Sequence, residues 1–427
     1  MTEELKKETN KILFLMATSE LAHSFLYVTY TIFLISRGVS LYQIAMLCMI
    51  CSIAMVVLDI PTGAFADVFG RKRTYMLSCL IWIAATIVYI ASTNFWGYAV
   101  AETLAALAMS FANGCVSAHM WDTVSALGIE QGLAEGEIEQ NNKMLSAKSI
   151  WVTSPVSAIG GFIGVKLFAV NSAIPWMGTG IGMIFVFILA SRVLHETRVK
   201  KVEYARDVKE MTKNTILAFR ILAREKGLQN IAVTRTLVRV VTVPIFLYWT
   251  AYLKEVGGSV IVLGYAWILM EVAMSLGVYL CRRVPERVSP QRIIQVCVLL
   301  TGLSAIAGAV TKSFIPVLVA ILVIEAATMA LGYVFGNITQ KEITDLGYGE
   351  AGGENNMRAT LLSSVSTSIT VGGMLGEYSF GSVATRYGIS TSWLISGLFI
   401  TTIAVVTYLL LTKASRDRAL QAERAAA

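Results

Sequence analysis

Long apolar runs are the feature that most limits how this 427-residue chain can fold. A helix needs about 20 mostly apolar residues to cross the hydrocarbon core of a bilayer. Twelve runs of this kind lie near residues 12–36, 41–66, 74–92, 95–120, 144–169, 173–194, 228–253, 259–281, 291–311, 314–340, 357–385 and 390–412. The sequence therefore predicts an all-α integral membrane protein with twelve transmembrane helices.

The amount and placement of charge agree with this class. Charged residues make up 15% of the chain, whereas soluble proteins carry roughly 25%. Lys and Arg gather on one side of the predicted spans, above all between Arg192 and Lys226. The positive-inside rule then places both termini in the cytoplasm, in a multi-pass protein of the cell (plasma or inner) membrane. The same rule accounts for the net charge of +7, so no nucleic acid partner is expected.

The sequence carries no pattern that indicates catalysis. The six cysteines lie in or at the ends of predicted spans, where an external disulfide framework is not expected. Cys48 and Cys51 stand one helical turn apart on an apolar run, which favours packing over metal binding. A phosphate-binding glycine loop, a zinc ligand set and a nucleophile with a base are all missing. We therefore predict no enzyme, no cofactor and no metal site.

A polar, basic stretch divides the chain into two halves. Residues 192–227 carry apolar side chains at helical spacing, which predicts an amphipathic cytoplasmic helix. Residues 1–191 then form a first half of six helices and residues 228–412 a second one, followed by a cytoplasmic tail at 413–427.

The two halves repeat each other in two respects. Glu102 and Asp122 lie twenty residues apart in the fourth run, and Glu325 and Asp345 lie twenty apart in the tenth. Glycine triplets also occur in the fifth and eleventh runs, at Gly160, Gly161 and Gly164, and at Gly372, Gly373 and Gly376. Doubling of this kind is typical of transporters built from two repeats.

The turn between the second and third runs combines glycine, an acid and three bases at fixed spacing. Its residues are Gly63, Asp67, Gly70, Arg71, Lys72 and Arg73. This pattern, together with the twelve spans, resembles the signature loop and topology of the major facilitator superfamily. Val68 departs from it, since many members carry a base there. The copy in the second half is degraded, because Cys281 stands where the aspartate would be.

The resemblance implies a gate at this loop. Gly63 allows close approach of a helix, and Gly70 lets the backbone turn. By resemblance, Asp67 accepts hydrogen bonds at the start of the eleventh helix, near Asn356, and Arg71 binds Asp122. Together they would form a latch between the halves. The alternative is a turn that serves only to orient the chain in the membrane.

Charged residues inside the spans form the second candidate set, because each costs about 2.5–3.5 kcal/mol at the membrane centre. They are Glu20, His23, Asp59, Glu102, Arg235, Arg239, Glu271 and Glu325. Spans one, four, seven and ten line the central cavity of the resembled family, which places Glu20, His23, Glu102, Arg235, Arg239 and Glu325 there. Asp59 lies two turns from Asp67 and belongs to either the gate or the cavity.

We assign roles to four of these residues. Glu20 and Glu325 are the preferred proton sites, because a carboxyl group in an apolar cavity can load and release a proton near neutral pH. Arg235 and Arg239, one turn apart, hold an anionic group or neutralise Glu325. The alternative is that these charges only stabilise the helix bundle.

The sequence predicts a monomeric secondary active transporter that works by alternating access. The leading interpretation is export of a small amphipathic organic compound in exchange for protons. Proton-coupled uptake of a small organic anion is the first alternative. A membrane sensor of transporter-like fold, without flux, is an alternative of another class.

Overall fold

The computed structural model describes residues 3–196, 204–285, 287–348 and 357–405. Fifteen helices follow one another in these residues. They are α1 (Glu3–Tyr27), α2 (Tyr30–Ser36), α3 (Leu41–Phe69), α4 (Arg71–Ala91), α5 (Phe95–Ala112), α6 (Cys115–Glu130), α7 (Glu135–Val170), α8 (Ile174–Val193), α9 (Tyr204–Arg224), α10 (Lys226–Glu255), α11 (Val260–Arg283), α12 (Pro290–Thr311), α13 (Phe314–Asp345), α14 (Arg358–Tyr387) and α15 (Ile389–Val405).

The described residues contain nine helical segments that are long and apolar enough to cross a membrane, or ten with the bent pair of α1 and α2. These ten coincide with the first ten predicted runs. Helix α14 coincides with the eleventh run, but it is rich in Ser and Thr and is not among the candidate spans. Residues 406–412 of the twelfth run and the tail at 413–427 lie outside the described residues. The all-α membrane class is confirmed, and the number twelve stays a prediction.

Two of the predicted spans are not straight helices. The first is broken between α1 and α2 with a bend of 41°. The fourth is interrupted at Asn113 and Gly114, where Gly114 adopts a φ of 72°. This left-handed backbone favours glycine because a Cβ would clash. Glu102 and Asp122 therefore lie on two helices and not on one straight helix, unlike Glu325 and Asp345, which share α13.

The described part of the linker contains one helix, α9. It has 21 residues, which make about six turns. It ends where Glu225 takes up an extended backbone and α10 begins. Residues 197–203 of the linker lie outside the described residues.

The chain divides into two compact units. The first comprises Met1–Ile221 and Ser259–Ile268, and the second comprises Leu222–Gly258 and Leu269–Ala427. Most of α9 and the start of α11 thus group with the first unit. The core of the first unit includes Trp176, whose ring stacks on Tyr89 at 3.9 Å between centroids. In the second unit the Trp393 indole donates a hydrogen bond to the Pro244 carbonyl oxygen at 3.2 Å.

The two glycine triplets pack their helices in the same way. A methyl group built on Gly164 of α7 would collide with the Phe25 backbone of α1, and one built on Gly376 of α14 would collide with the Val240 carbonyl oxygen of α10. Only glycine lets the two backbones of each pair come this close. Phe25 and Val240 thus occupy matching positions in the two units.

Candidate functional site

The signature loop joins α3 to α4 through one residue. Gly70 ends α3 with a φ of 95° and directly precedes α4, so the turn needs the conformational freedom of glycine. The Arg71 guanidinium contacts the Asp122 carboxylate on α6, as the resemblance implies. Lys72 donates a hydrogen bond to the Ser191 carbonyl oxygen at 2.7 Å. The loop is therefore tied to the middle of α6 and to the last turn of α8.

Glu196 extends this cluster and was not among the sequence candidates. Its carboxylate lies 3.7 Å from the Arg73 guanidinium and so close to Gly70 that a methyl group there would overlap it. Glu196 belongs to the polar linker, where one acid among many charges carries no distinguishing signal in the sequence.

The linker helix α9 also contacts the C-terminal part of α3. The Tyr204 hydroxyl donates to the Pro61 carbonyl oxygen at 3.1 Å, and the Tyr204 ring lies beside Phe69, with centroids 6.2 Å apart. The Met211 methyl carbon lies 3.0 Å from the position that a Cβ on Gly63 would take. The contact at Gly63 is made by a flexible side chain, so the close helix approach expected there stays a prediction. Asn356 lies outside the described residues, so the role of Asp67 at a helix start stays a prediction.

Glu102 lies in a buried polar cluster of the first unit. It is 5% exposed and accepts a hydrogen bond from the Tyr30 hydroxyl. The Tyr89 hydroxyl and the Cys51 thiol are also hydrogen-bonded to it. These donors compensate the carboxylate for the loss of water. The sequence did not indicate that these tyrosines are partners of Glu102, since Tyr30 is 72 residues away from it.

Glu20 lies in a second cluster of the first unit. Its half-buried carboxylate is hydrogen-bonded by the hydroxyls of Tyr27 and Ser157. The Trp267 ring lies 5.8 Å from the Tyr27 ring between centroids, and its indole nitrogen donates to the Ser157 carbonyl oxygen at 3.1 Å. One carboxylate and two aromatic rings thus lie close together, a combination that suits a cationic group.

His23 and Asp59 have other surroundings. The Nδ1 atom of His23 lies 2.9 Å from the Ser19 carbonyl oxygen, and its ring stands edge-on to Trp82 at 4.9 Å between centroids. The Asp59 side chain is exposed on α3, one turn before Gly63. The sequence alone did not indicate that Ser19 and Trp82 contact His23. The roles of His23 and Asp59 stay predictions.

The second unit holds the remaining candidates. Glu325 on α13 is 6% exposed, and the charge of Glu271 on α11 acts on it. The Arg235 guanidinium lies over the Phe335 ring, 5.7 Å from its centroid. Arg239 is exposed. The contacts of Arg235 thus include an aromatic ring, and neutralisation of Glu325 by either arginine stays a prediction.

Sequence reasoning also missed Glu377. This residue lies on α14, one position after Gly376, and is 5% exposed. It is the lone acid of the eleventh apolar run, which was the signal available in the sequence. Like Glu102 and Glu325, Glu377 is a buried acid in a predicted span, where a charge is costly.

The packing register relates Glu20 to Arg235. Because Phe25 and Val240 take matching positions against the glycine triplets, the residues five before each of them also match. These residues are Glu20 and Arg235. The repeat therefore carries a carboxylate in the first unit where the second carries a guanidinium.

Among the described residues, no group of three His, Cys, Asp or Glu side chains is placed to hold a metal ion.

Comparison with known families gives one match that covers most of the chain. The profile described as the Major Facilitator Superfamily matches residues 12–352. No match to a curated protein sequence was found.

Solved structures of similar fold were found at low sequence identity. A nucleoside transporter, NupG, is 12% identical with a TM-score of 0.70, and the match covers 95% of this chain and 99% of that one. A bacterial homolog of the human lysosomal transporter Spinster is 12% identical with a TM-score of 0.68, covering 97% and 98%. A POT family transporter in complex with 5-aminolevulinic acid is 10% identical with a TM-score of 0.70, covering 95% and 96%. Identities this low establish a shared fold only.

Proposed function

The chain belongs to the Major Facilitator Superfamily, and we propose that it works as a secondary active transporter by alternating access, coupled to protons. The proposal places it in the cell membrane with twelve spans and both termini in the cytoplasm, in line with the distribution of Lys and Arg.

The observation that carries this proposal is the burial of carboxyl groups inside candidate spans. Glu102 and Glu325 are 5% and 6% exposed, respectively. A charge at such a depth is costly, and intramembrane acids are a recurrent feature of proton relays in transporters. Glu325 is the stronger candidate for a coupling site, because Glu271 acts on it with a like charge and a proton on either carboxyl group relieves the repulsion.

The proposed cargo is a small amphipathic organic cation that is exported in exchange for protons. Support comes from the cluster of Glu20, Tyr27 and Trp267, where a carboxylate lies beside two aromatic rings. Such clusters bind cations by charge and by the faces of the rings. A second candidate is proton-coupled uptake of a small organic anion, which is favoured by the exposed guanidinium of Arg239 and its neighbour Arg235.

Flux into proteoliposomes tests the proposed function. We expect the purified protein to move lipophilic organic cations against their gradient when a proton gradient of opposite direction is imposed. Dissipation of the proton gradient should abolish accumulation, because the gradient supplies the energy. The measurement is uptake of labelled cations, organic anions and nucleosides, with protein-free liposomes as the control. Accumulation of anions under a parallel proton gradient would favour uptake, and absence of flux for all three classes would favour a sensor.

The signature loop supplies a second test. We propose that the ion pair of Arg71 and Asp122 is part of the gate. Both side chains are partly exposed, so the pair adds at most about 1 kcal/mol to stability. Arg71→Asp and Asp122→Arg are each expected to reduce flux strongly while the melting temperature changes little.

The double variant that combines Arg71→Asp with Asp122→Arg is the control. It keeps one acid and one base in the pair but exchanges their positions. The double variant should recover a large part of the flux, because it restores the attraction. Flux that stays low in the double variant would show that the orientation of the pair matters beyond attraction. Full flux in both single variants would exclude the pair from the gate.

A further inference from the structure

The linker helix α9 has two different faces. One side of the helix is turned toward the protein and carries Met211, Ala218 and Leu222, of which the last two are buried. The opposite side is exposed and carries four cations that follow one another along the helix at spacings of three, four and seven residues. These cations are Arg206, Lys209, Lys213 and Arg220. Such spacings place them on one stripe.

The alignment of these cations goes beyond what membrane orientation requires. The positive-inside rule counts Lys and Arg in a segment and does not depend on where they lie around a helix. The exposed acid Glu210 stands four residues after Arg206 and three before Lys213, so it adjoins the first part of the stripe. From Lys213 to Arg220 the sequence contains no acid, and this part of the stripe is a surface of one sign of charge.

Two large apolar side chains are exposed on the same side. Ile216 is 50% exposed and Leu217 is 42% exposed, and both lie in the interval between Lys213 and Arg220. A surface that combines bases with exposed apolar groups matches the chemistry of a lipid interface, where bases pair with phosphates and apolar groups enter the boundary of the acyl chains.

The docking of α9 places this surface near the edge of the membrane. Tyr204 and Met211 contact α3 at Pro61 and Gly63, and α3 is a candidate span that ends at Phe69. Pro61 precedes that end by eight residues, about 12 Å along the helix. Helix α9 thus contacts a candidate span within its last nine residues, on the side of the signature loop, where a span leaves the hydrocarbon core.

We propose that the basic face of α9 binds anionic phospholipid headgroups at the membrane surface on the side of the signature loop. The stripe attracts the phosphates, and Ile216 and Leu217 enter between the headgroups. Because the protein is embedded in the bilayer, the lipid surface is present at high effective concentration. A weak contact between a base and a headgroup therefore re-forms readily after it breaks. Through Tyr204 and Met211, the bound lipid stabilises the packing of α9 on α3.

Hydrogen exchange of the full-length protein tests this inference. The protein is inserted into nanodiscs of phosphatidylcholine alone or of phosphatidylcholine with phosphatidylglycerol, and exchange is followed in peptides from α9. We expect the anionic lipid to slow exchange by at least about fivefold, the change that corresponds to the attraction of one basic side chain to an anionic surface. Salt at about 1 M should remove the effect, because it shortens the Debye length to about 3 Å.

Two variants make the test specific. Changing Arg206, Lys209, Lys213 and Arg220 to Gln should abolish the difference between the two lipids. The control variant Thr212→Ala with Asn214→Ala changes exposed, uncharged positions of the same helix and should retain it. If the fourfold variant does not fold, Lys213→Gln with Arg220→Gln should reduce the difference.

Three outcomes would overturn the proposal. The first is equal exchange in the two lipids, and the second is a lipid effect that survives in the fourfold variant. The third is equal protection by inorganic polyphosphate in nanodiscs of phosphatidylcholine alone, which would assign the basic face to a soluble polyanion. Exchange in peptides from α4 and α12 should stay constant across the variants, which verifies that the fold is retained.

Discussion

Replacing Glu325 with Gln is expected to reduce transport driven by a proton gradient to the level of protein-free liposomes. The side chain is 6% exposed on α13, and glutamine keeps its shape and hydrogen-bonding capacity while it cannot exchange a proton. The variant should fold, because it removes a buried charge that is costly in a membrane. The measurement is accumulation of a transported compound in proteoliposomes with and without an imposed pH gradient.

Exchange without a gradient separates coupling from binding. If Glu325 carries the coupling proton, the variant should still exchange labelled for unlabelled compound across the membrane. Glu271→Gln is the matched control, because it removes the neighbouring carboxylate. This variant should retain part of the coupled transport. Unchanged accumulation in the Glu325 variant would rule this residue out as the coupling site and would turn attention to Glu20, Glu102 and Glu377.

Replacing Gly164 with Ala is expected to destabilise the first unit by about 3 kcal/mol or more, at or above the upper end of typical overpacking costs. The added methyl group would collide with the backbone of Phe25, which has no rotamer to change. Helices α1 and α7 must then move apart, and the hydroxyl of Ser157 must shift relative to Glu20. The measurement is the thermal unfolding midpoint in detergent, with the monodisperse fraction as a second readout.

Two further glycine variants provide controls. Gly376→Ala should have a comparable effect, because its methyl group would collide with the Val240 carbonyl oxygen. Gly332→Ala lies on α13, where no described atom is within 4 Å of the added methyl group, and should be neutral or stabilising by about 0.5–1 kcal/mol. Equal midpoints for Gly164→Ala and Gly332→Ala would contradict the close packing of α1 and α7.

Parts of the candidate site were accessible from sequence because their signals are local. The loop from Gly63 to Arg73 is a pattern of adjacent residues, and its contact with Asp122 followed from the resemblance. The partners of Glu102 were not accessible. Tyr30 comes from a helix 72 residues away, and nothing in its own surroundings in the sequence marks it as a hydrogen-bond donor.

The break in the fourth span shows the same limit at the level of the helix. Its apolar run continues across Asn113 and Gly114, so hydropathy predicts one uninterrupted helix. Glycine permits the left-handed φ of Gly114, but a glycine can also adopt ordinary helical angles. Packing determines whether such a residue bends the chain.

By itself, the sequence determined the membrane class, the position of most spans, the signature loop and the glycine triplets, because each depends on the length or spacing of neighbouring residues. Only the tertiary structure decided that α9 packs on Gly63, that Tyr30 and Tyr89 bind Glu102, and that Glu20 matches Arg235. The physical reason is the geometry of helices. A shift of one residue rotates a side chain by about 100°, so contacts between helices depend on rotation and register, which packing determines.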